Sequence, residues 1–177
     1  TVYRPEEIAG YRQLAEEFQL HLHMDGARFA NAVVASGVSP ADITWRAGVD
    51  CLSFGLTKNG GIATEAVVMF NQALAEDFAY RRKRAGHLWS KQRFLAAQWL
   101  ALLENDLWLD NARHANAMAG QLAEGFAANS AIDLPWSVDA NELFPVIPEA
   151  LRGRLRDAGL VFYDWPQEAN MTRFVTH

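Results

Sequence analysis

Between His21 and Gly61 the chain reads HLHMDGARFANAVVASGVSPADITWRAGVDCLSFGLTKNGG, a stretch that few folds accommodate. Leu20, Leu22 and Met24 alternate with His21 and His23, which is the period of a strand. Gly26 marks a turn, and Arg28 to Ser36 reads as a short, buried, Ala- and Val-rich helix. Asp50 to Leu56 is a second apolar strand, followed by a turn at Gly60-Gly61. Strand, helix and strand in this order predict neighbouring parallel strands in a sheet covered on both faces. Ligands of such sheets bind outside the carboxyl ends of the strands. There the sequence delivers Asp25, Arg28 and Lys58.

The rest of the chain extends the pattern. Pro5-Glu6-Glu7 suits a helix first turn, and Ile8, Tyr11, Leu14 and Phe18 then recur on one helical face. Ser39-Pro40-Ala41-Asp42 reads as an N-cap with proline at the first position, predicting a helix to about Ala47. Glu65 to Phe70 is a further strand. From Asn71 to Asn129 the pattern is helical, with breaks near His87–Ser90 and Glu104–Trp108. The last helix, roughly Leu109 to Ala128, carries Ala112, Ala115, Ala119, Leu122 and Phe126 along one side. Past Ile132 come a strand (Asn141–Val146), a helix (Pro148–Ala158) and two strands (Gly159–Asp164, Met171–Thr176). The expected class is therefore α/β, a mainly parallel sheet flanked by helices, with a small α+β C-terminal domain. Residues 1–108 are expected to form part of a large domain, 109–128 a connecting helix, and 129–177 an incomplete small domain. A start at Thr1 without methionine and an end on a strand are expected of a piece of a longer protein.

Composition narrows the function. The net charge of −5 provides no field for nucleic acid or an anionic membrane surface. The basic run Arg81-Arg82-Lys83-Arg84 then reads as a solvated helix face. A lone cysteine, Cys51, excludes an internal disulfide and sits in an apolar strand as an inert thiol. No apolar run approaches the length of about 18 residues that a spanning helix requires, and no signal peptide opens the chain. The expected location is the cytoplasm.

Taken singly, the candidate residues have ordinary readings: Lys58 as a surface lysine, Asp25 as a cap, Arg28 as a first-turn residue. His21 and His23, two apart and without a third ligand, are a weak metal signal. Together the residues point to one cofactor. A lysine amine condenses with carbonyl compounds, and pyridoxal phosphate is the carbonyl cofactor that also needs an acid. A carboxylate beside its ring nitrogen stabilises the protonated form. An arginine is the natural clamp for an amino-acid carboxylate.

The segments HMDGARFANA, SFGLTKNG, YRRKRAGHLWSKQRFLAAQ and TRFVTH, in that order, resemble the low-specificity threonine aldolases of the β-eliminating lyase group, fold-type I pyridoxal-phosphate enzymes. The resemblance implies that Asp25 pairs with the pyridine nitrogen of pyridoxal 5'-phosphate. It implies that Arg28 lies near the cofactor and the substrate carboxylate, and that Lys58 is the covalent anchor. Arg173, in TRFVTH, would grip the substrate carboxylate. Lys91, or its neighbour Arg93, would reach the phosphate, and Asn141 falls at a domain junction.

The implied reaction is aldol cleavage of threonine, allo-threonine or a related β-hydroxy-α-amino acid to glycine and an aldehyde, in a homodimer or homotetramer. The implied partners are a small amino-acid substrate, with no nucleic acid and no membrane. In relatives the phosphate loop, the ring-stacking histidine and the proton-abstracting group come from chain ahead of the position of Thr1. The alternatives are another fold-type I lyase or aminotransferase, or an inactive fragment.

Overall fold

The computed structural model describes residues 2–177, which divide into two units, Val2–Asn111 and Ala112–His177. The first unit holds α1 (Pro5–Glu17), β1 (His23–Gly26), α2 (Phe29–Ser36), β2 (Cys51–Gly55), β3 (Glu65–Met69), α3 (Phe78–Arg84) and α4 (Gln92–Leu103). α5 (Leu107–Ala127) begins in it. Its sheet has the order β1-β2-β3. β1 and β2 are parallel, with Asp25 opposite Ser53, whereas β3 runs antiparallel to β2. The expected parallel arrangement thus holds for one of the two pairings.

The core of this unit forms because α2 is apolar on nearly every side. Phe29, Ala30 and Val33 are buried, as are Ile43, Val49, Leu52 and Leu56. The alternating residues from Leu20 do not all enter the sheet. β1 starts only at His23; just before it the Leu22 carbonyl accepts from the Asp50 and Cys51 N–H groups and the Leu22 N–H donates to Asp50 Oδ2. On α1 the expected apolar face is only partly covered. Ile8 is buried, but Tyr11, Leu14 and Phe18 stay half exposed or more.

The helix expected from Pro40 to Ala47 does not form. Turns fill the segment until a 3-10 helix at Trp45–Ala47. Ser39 Oγ donates to Asp42 Oδ2 at 2.5 Å, and Thr44 Oγ1 donates to the Pro40 carbonyl at 2.6 Å. These short polar side chains satisfy the backbone locally and compete with an α-helical ladder. Gly48, at φ +99°, then ends the segment in a left-handed conformation.

Asp50 ties together the end of the sheet away from the candidate site. Its carboxylate accepts from Arg12 Nη1 at 2.8 Å, the Leu22 N–H at 2.9 Å and Asn71 Nδ2 at 3.1 Å. Burial opposes its charge, but the Leu22 and Asn71 hydrogen bonds, with the charges of Arg12 and His21, hold the carboxyl below its usual range. A depressed folded pKa stabilises the protein above the unfolded value of about 3.9, and that stability is lost as pH falls through the folded value. Asp50→Asn in the intact protein should therefore cost about 1–3 kcal/mol at neutral pH, the scale for weakening hydrogen bonds to a charged group. Urea denaturation as a function of pH checks this. The gap between wild type and variant should close in acid, and a gap independent of pH would contradict the charge network.

The second unit contains the rest of α5, then β4 (Glu142–Leu143), α6 (Glu149–Asp157), β5 (Tyr163–Asp164) and β6 (Thr172–Val175). Its sheet has the order β4-β6-β5 with antiparallel pairings. Ala119 and Phe126, on the predicted stripe of α5, pack with Leu143 and Ile147, and Phe174 meets Phe126 at 5.3 Å between ring centres. Arg152 of α6 is buried, and is held by Asp164 and Asn170, each at 3.0 Å, and by Glu149.

Candidate active site

β1 and β2 run in the same direction, so their carboxyl ends emerge together. Asp25 is the third residue of β1 and is exposed. Its Oδ1 accepts from the Ala27 N–H at 3.0 Å, which folds the chain into the turn before α2. Arg28, half-buried, occupies the N-cap position of α2. Beyond β2, Lys58 is exposed between Leu56, which is fully buried, and Asn59, which is buried.

Two glycines make this edge tight. A Cβ on Gly26 would lie 2.6 Å from both Leu52 Cδ1 and the Ser53 carbonyl oxygen. A Cβ on Gly55 would lie 3.1 Å from Ala27 Cα. The turn carrying Asp25 and Arg28 therefore presses against the end of β2, three residues before Lys58. That close approach brings Asp25, Arg28 and Lys58 to one end of the sheet.

The Lys58 turn is pinned from below. The Leu56 carbonyl accepts from the Asn59 and Gly61 N–H groups, both at 2.9 Å. Asn59 Nδ2 donates to the Trp108 carbonyl at 2.7 Å, and Asn111 Nδ2 donates back to the Asn59 carbonyl at 3.1 Å. Ile62 N–H donates to Gln98 Oε1 at 2.8 Å. Beneath these bonds lies an aromatic cluster in which Phe54 meets Phe29, Trp99 and Trp108 at 5.1, 4.7 and 5.4 Å. The exposed amine thus stands on fixed backbone, the arrangement that preorganises a reactive group. Asn59 and Asn111 escaped the sequence reading because their partners are distant in the chain.

The other candidates lie elsewhere. Lys91 is exposed at the N-cap position of α4, and Arg93 lies over the Phe94 ring at 5.0 Å. Trp89 and Phe94 near them are about half exposed. The two histidines diverge: His21 turns to Asp50 and His23 to Ser53 Oγ at 2.9 Å. Cys51 is half-buried, and burial together with the Asp50 charge pushes its thiol up, which keeps it protonated.

In the second unit Arg173 is half-buried on β6, and its Nε donates to Glu142 Oε1 at 2.8 Å. Asn141 is buried beside Glu142, and its Nδ2 donates to the Thr176 carbonyl at 2.9 Å.

The family model of the beta-eliminating lyases matches residues 1–149. The low specificity L-threonine aldolase of Pseudomonas aeruginosa is 50% identical over 163 residues, covering 92% of this chain and 47% of that protein. The low specificity L-threonine aldolase of a Pseudomonas species is 47% identical with the same coverage, 92% and 47%. The solved threonine aldolase of Leishmania major superposes with a TM-score of 0.88 at 29% identity, covering 98% of this chain and 51% of that one. The chain spans about half the length of the curated relatives it matches. The likeness supports an α/β fold. No helix of the described residues is long and apolar enough to cross a membrane.

Proposed function

From a chain that belongs to the beta-eliminating lyase family, we propose that the whole protein is a pyridoxal-phosphate-dependent aldolase. It cleaves threonine, allo-threonine or a related β-hydroxy-α-amino acid to glycine and an aldehyde. The observation that carries the reading is an exposed carboxylate, Asp25, near the carboxyl end of β1, and an exposed amine, Lys58, just past the carboxyl end of its parallel neighbour β2. The likeness to proteins named low specificity L-threonine aldolase supports it. In this reading the first unit is part of a fold-type I large domain and the second is the small α+β domain.

The residues present suit pyridoxal phosphate: a primary amine for its carbonyl and a carboxylate for its ring nitrogen, at one end of the sheet. Lys58 would anchor the cofactor, Asp25 would hold its nitrogen protonated, and Arg28 and Lys91 would hold its polar groups. When bound, the cofactor supplies the electron sink that this chain's side chains lack. Arg28 and Arg173 are each suited to the substrate carboxylate, and holding that carboxylate orients the Cα–Cβ bond for cleavage. The β-hydroxyl proton leaves as that bond breaks. The oxygen becomes the aldehyde carbonyl, and Cα keeps the electron pair and takes a proton to give glycine. Asp25 stabilises charge as it develops, which favours the transition state over the bound substrate.

The same reading makes the protein a cytoplasmic homodimer or homotetramer that uses the exposed segment from Arg81 to Phe94 as a contact. Arg93, Trp89 and Phe94 are the residue types enriched at interface cores.

The intact protein, loaded with pyridoxal phosphate and given L-threonine, should release acetaldehyde and glycine in equal amounts. Release of 2-oxobutanoate and ammonia would instead assign an elimination, and transfer of the amino group to an oxo acid would assign an aminotransferase.

A further inference from the structure

We propose that Glu142 is a positioning residue for Arg173: it holds one edge of the guanidinium so that the other edge faces the carboxylate of the amino-acid ligand. The proposal rests on the carboxylate-binding role given to Arg173 above. β4 and β6 are antiparallel, with Glu142 opposite Val175 and Leu143 opposite Phe174. Arg173 lies two residues from Val175 and so shares the face that carries Glu142, as its diagonal neighbour.

Arg173 Nε donates to Glu142 Oε1 at 2.8 Å, and Nη2 donates to the same oxygen. Those two nitrogens form the side edge of the guanidinium. The end edge, with one hydrogen from Nη1 and the second Nη2 hydrogen, remains for a second acceptor and matches a bidentate carboxylate. The ion pair is partly buried, with side chains 29% and 20% exposed for Arg173 and Glu142.

The support beneath Glu142 is rigid. Leu143 is fully buried, the Thr176 N–H donates to the Asn141 carbonyl at 3.0 Å, and Asn141 Nδ2 returns a bond to the Thr176 carbonyl. Arg173 is therefore ordered before any ligand arrives, and a ligand need not freeze a long side chain to use it. The guanidinium of Arg152 is placed differently: Asp164, Asn170 and Glu149 surround it on a buried helix face.

The test uses the intact holoenzyme with Glu142→Ala, Glu142→Asp, Glu142→Gln and Arg173→Gln. Binding of glycine and of ethanolamine, its counterpart without a carboxylate, is measured by equilibrium dialysis, alongside KM and kcat for L-threonine. Glutamine keeps an oxygen in the place of Oε1, whereas aspartate keeps the charge but falls one methylene short. Positioning predicts that Glu142→Ala and Glu142→Asp weaken glycine binding and raise KM about tenfold, with kcat changed no more than about threefold. Glu142→Gln should stay within about threefold of wild type, and ethanolamine binding should be constant throughout.

If Glu142→Asp behaved as wild type while Glu142→Gln was as impaired as Glu142→Ala, charge rather than position would be what Glu142 supplies, and the proposal would fall. Unchanged or tighter glycine binding in Glu142→Ala would also overturn it. Should the alanine variant fail to fold, the aspartate and glutamine pair decides. Glycine binding that is insensitive to Arg173→Gln would remove the role of Arg173 itself, a failure separate from loss of the Glu142 effect alone.

Discussion

Lys58→Ala in the intact protein should lose the visible absorbance of bound cofactor and lower kcat about 10,000-fold or more, the scale on which loss of a covalent catalytic group is felt. Stability should hardly change. The turn is kept by Leu56, Asn59, Trp108 and Asn111 through backbone and amide hydrogen bonds, none of which uses the lysine side chain. The variant therefore separates chemistry from folding. A folded Lys58→Ala protein that kept both colour and turnover would make Lys58 a surface lysine.

Asp25 is the second large effect, and here a structural role must be parted from an electrostatic one. Its carboxylate accepts from the Ala27 N–H at 3.0 Å, so part of its job is simply to fold the turn. Asp25→Asn retains an acceptor for that N–H but has no charge for a ring nitrogen. Asp25→Ala loses both. Both variants should lower kcat on the order of 100- to 1,000-fold with little change in KM, because the charge acts mainly as the reaction proceeds. Only Asp25→Ala should also lower the melting temperature. Asp25→Asn with nearly normal kcat would reduce Asp25 to a turn residue.

The legible parts of the fold were those written in local patterns. The stripe from Ala112 to Phe126 predicted α5 and its buried side, and the breaks around Ser90 and Glu104 separate α3, α4 and α5 as expected. Where short polar residues could bond their own backbone, pattern misled. Ser39, Asp42 and Thr44 turn a predicted helix into turns. β1 also starts later than the alternation suggested, at His23, and both polar groups of the Leu22 backbone bond to Asp50.

At the candidate site, strand order was legible: β1 and β2 are parallel, with Asp25 in the first and Lys58 just past the second. The supports did not show. Asn59 meets Trp108 and Asn111, and Arg173 meets Glu142, across tens of residues. No spacing rule relates such partners, because packing of whole elements brings them together.

Whether Lys58 is the covalent anchor of a carbonyl cofactor is tested most directly by chemistry. The sequence contains three lysines, Lys58, Lys83 and Lys91. The intact protein, loaded with pyridoxal phosphate and reduced with borohydride, should be digested and its peptides weighed by mass spectrometry. The phosphopyridoxyl adduct should lie on the peptide containing Thr57-Lys58-Asn59. An adduct confined to another lysine, with the Lys58 peptide unmodified, would contradict that role.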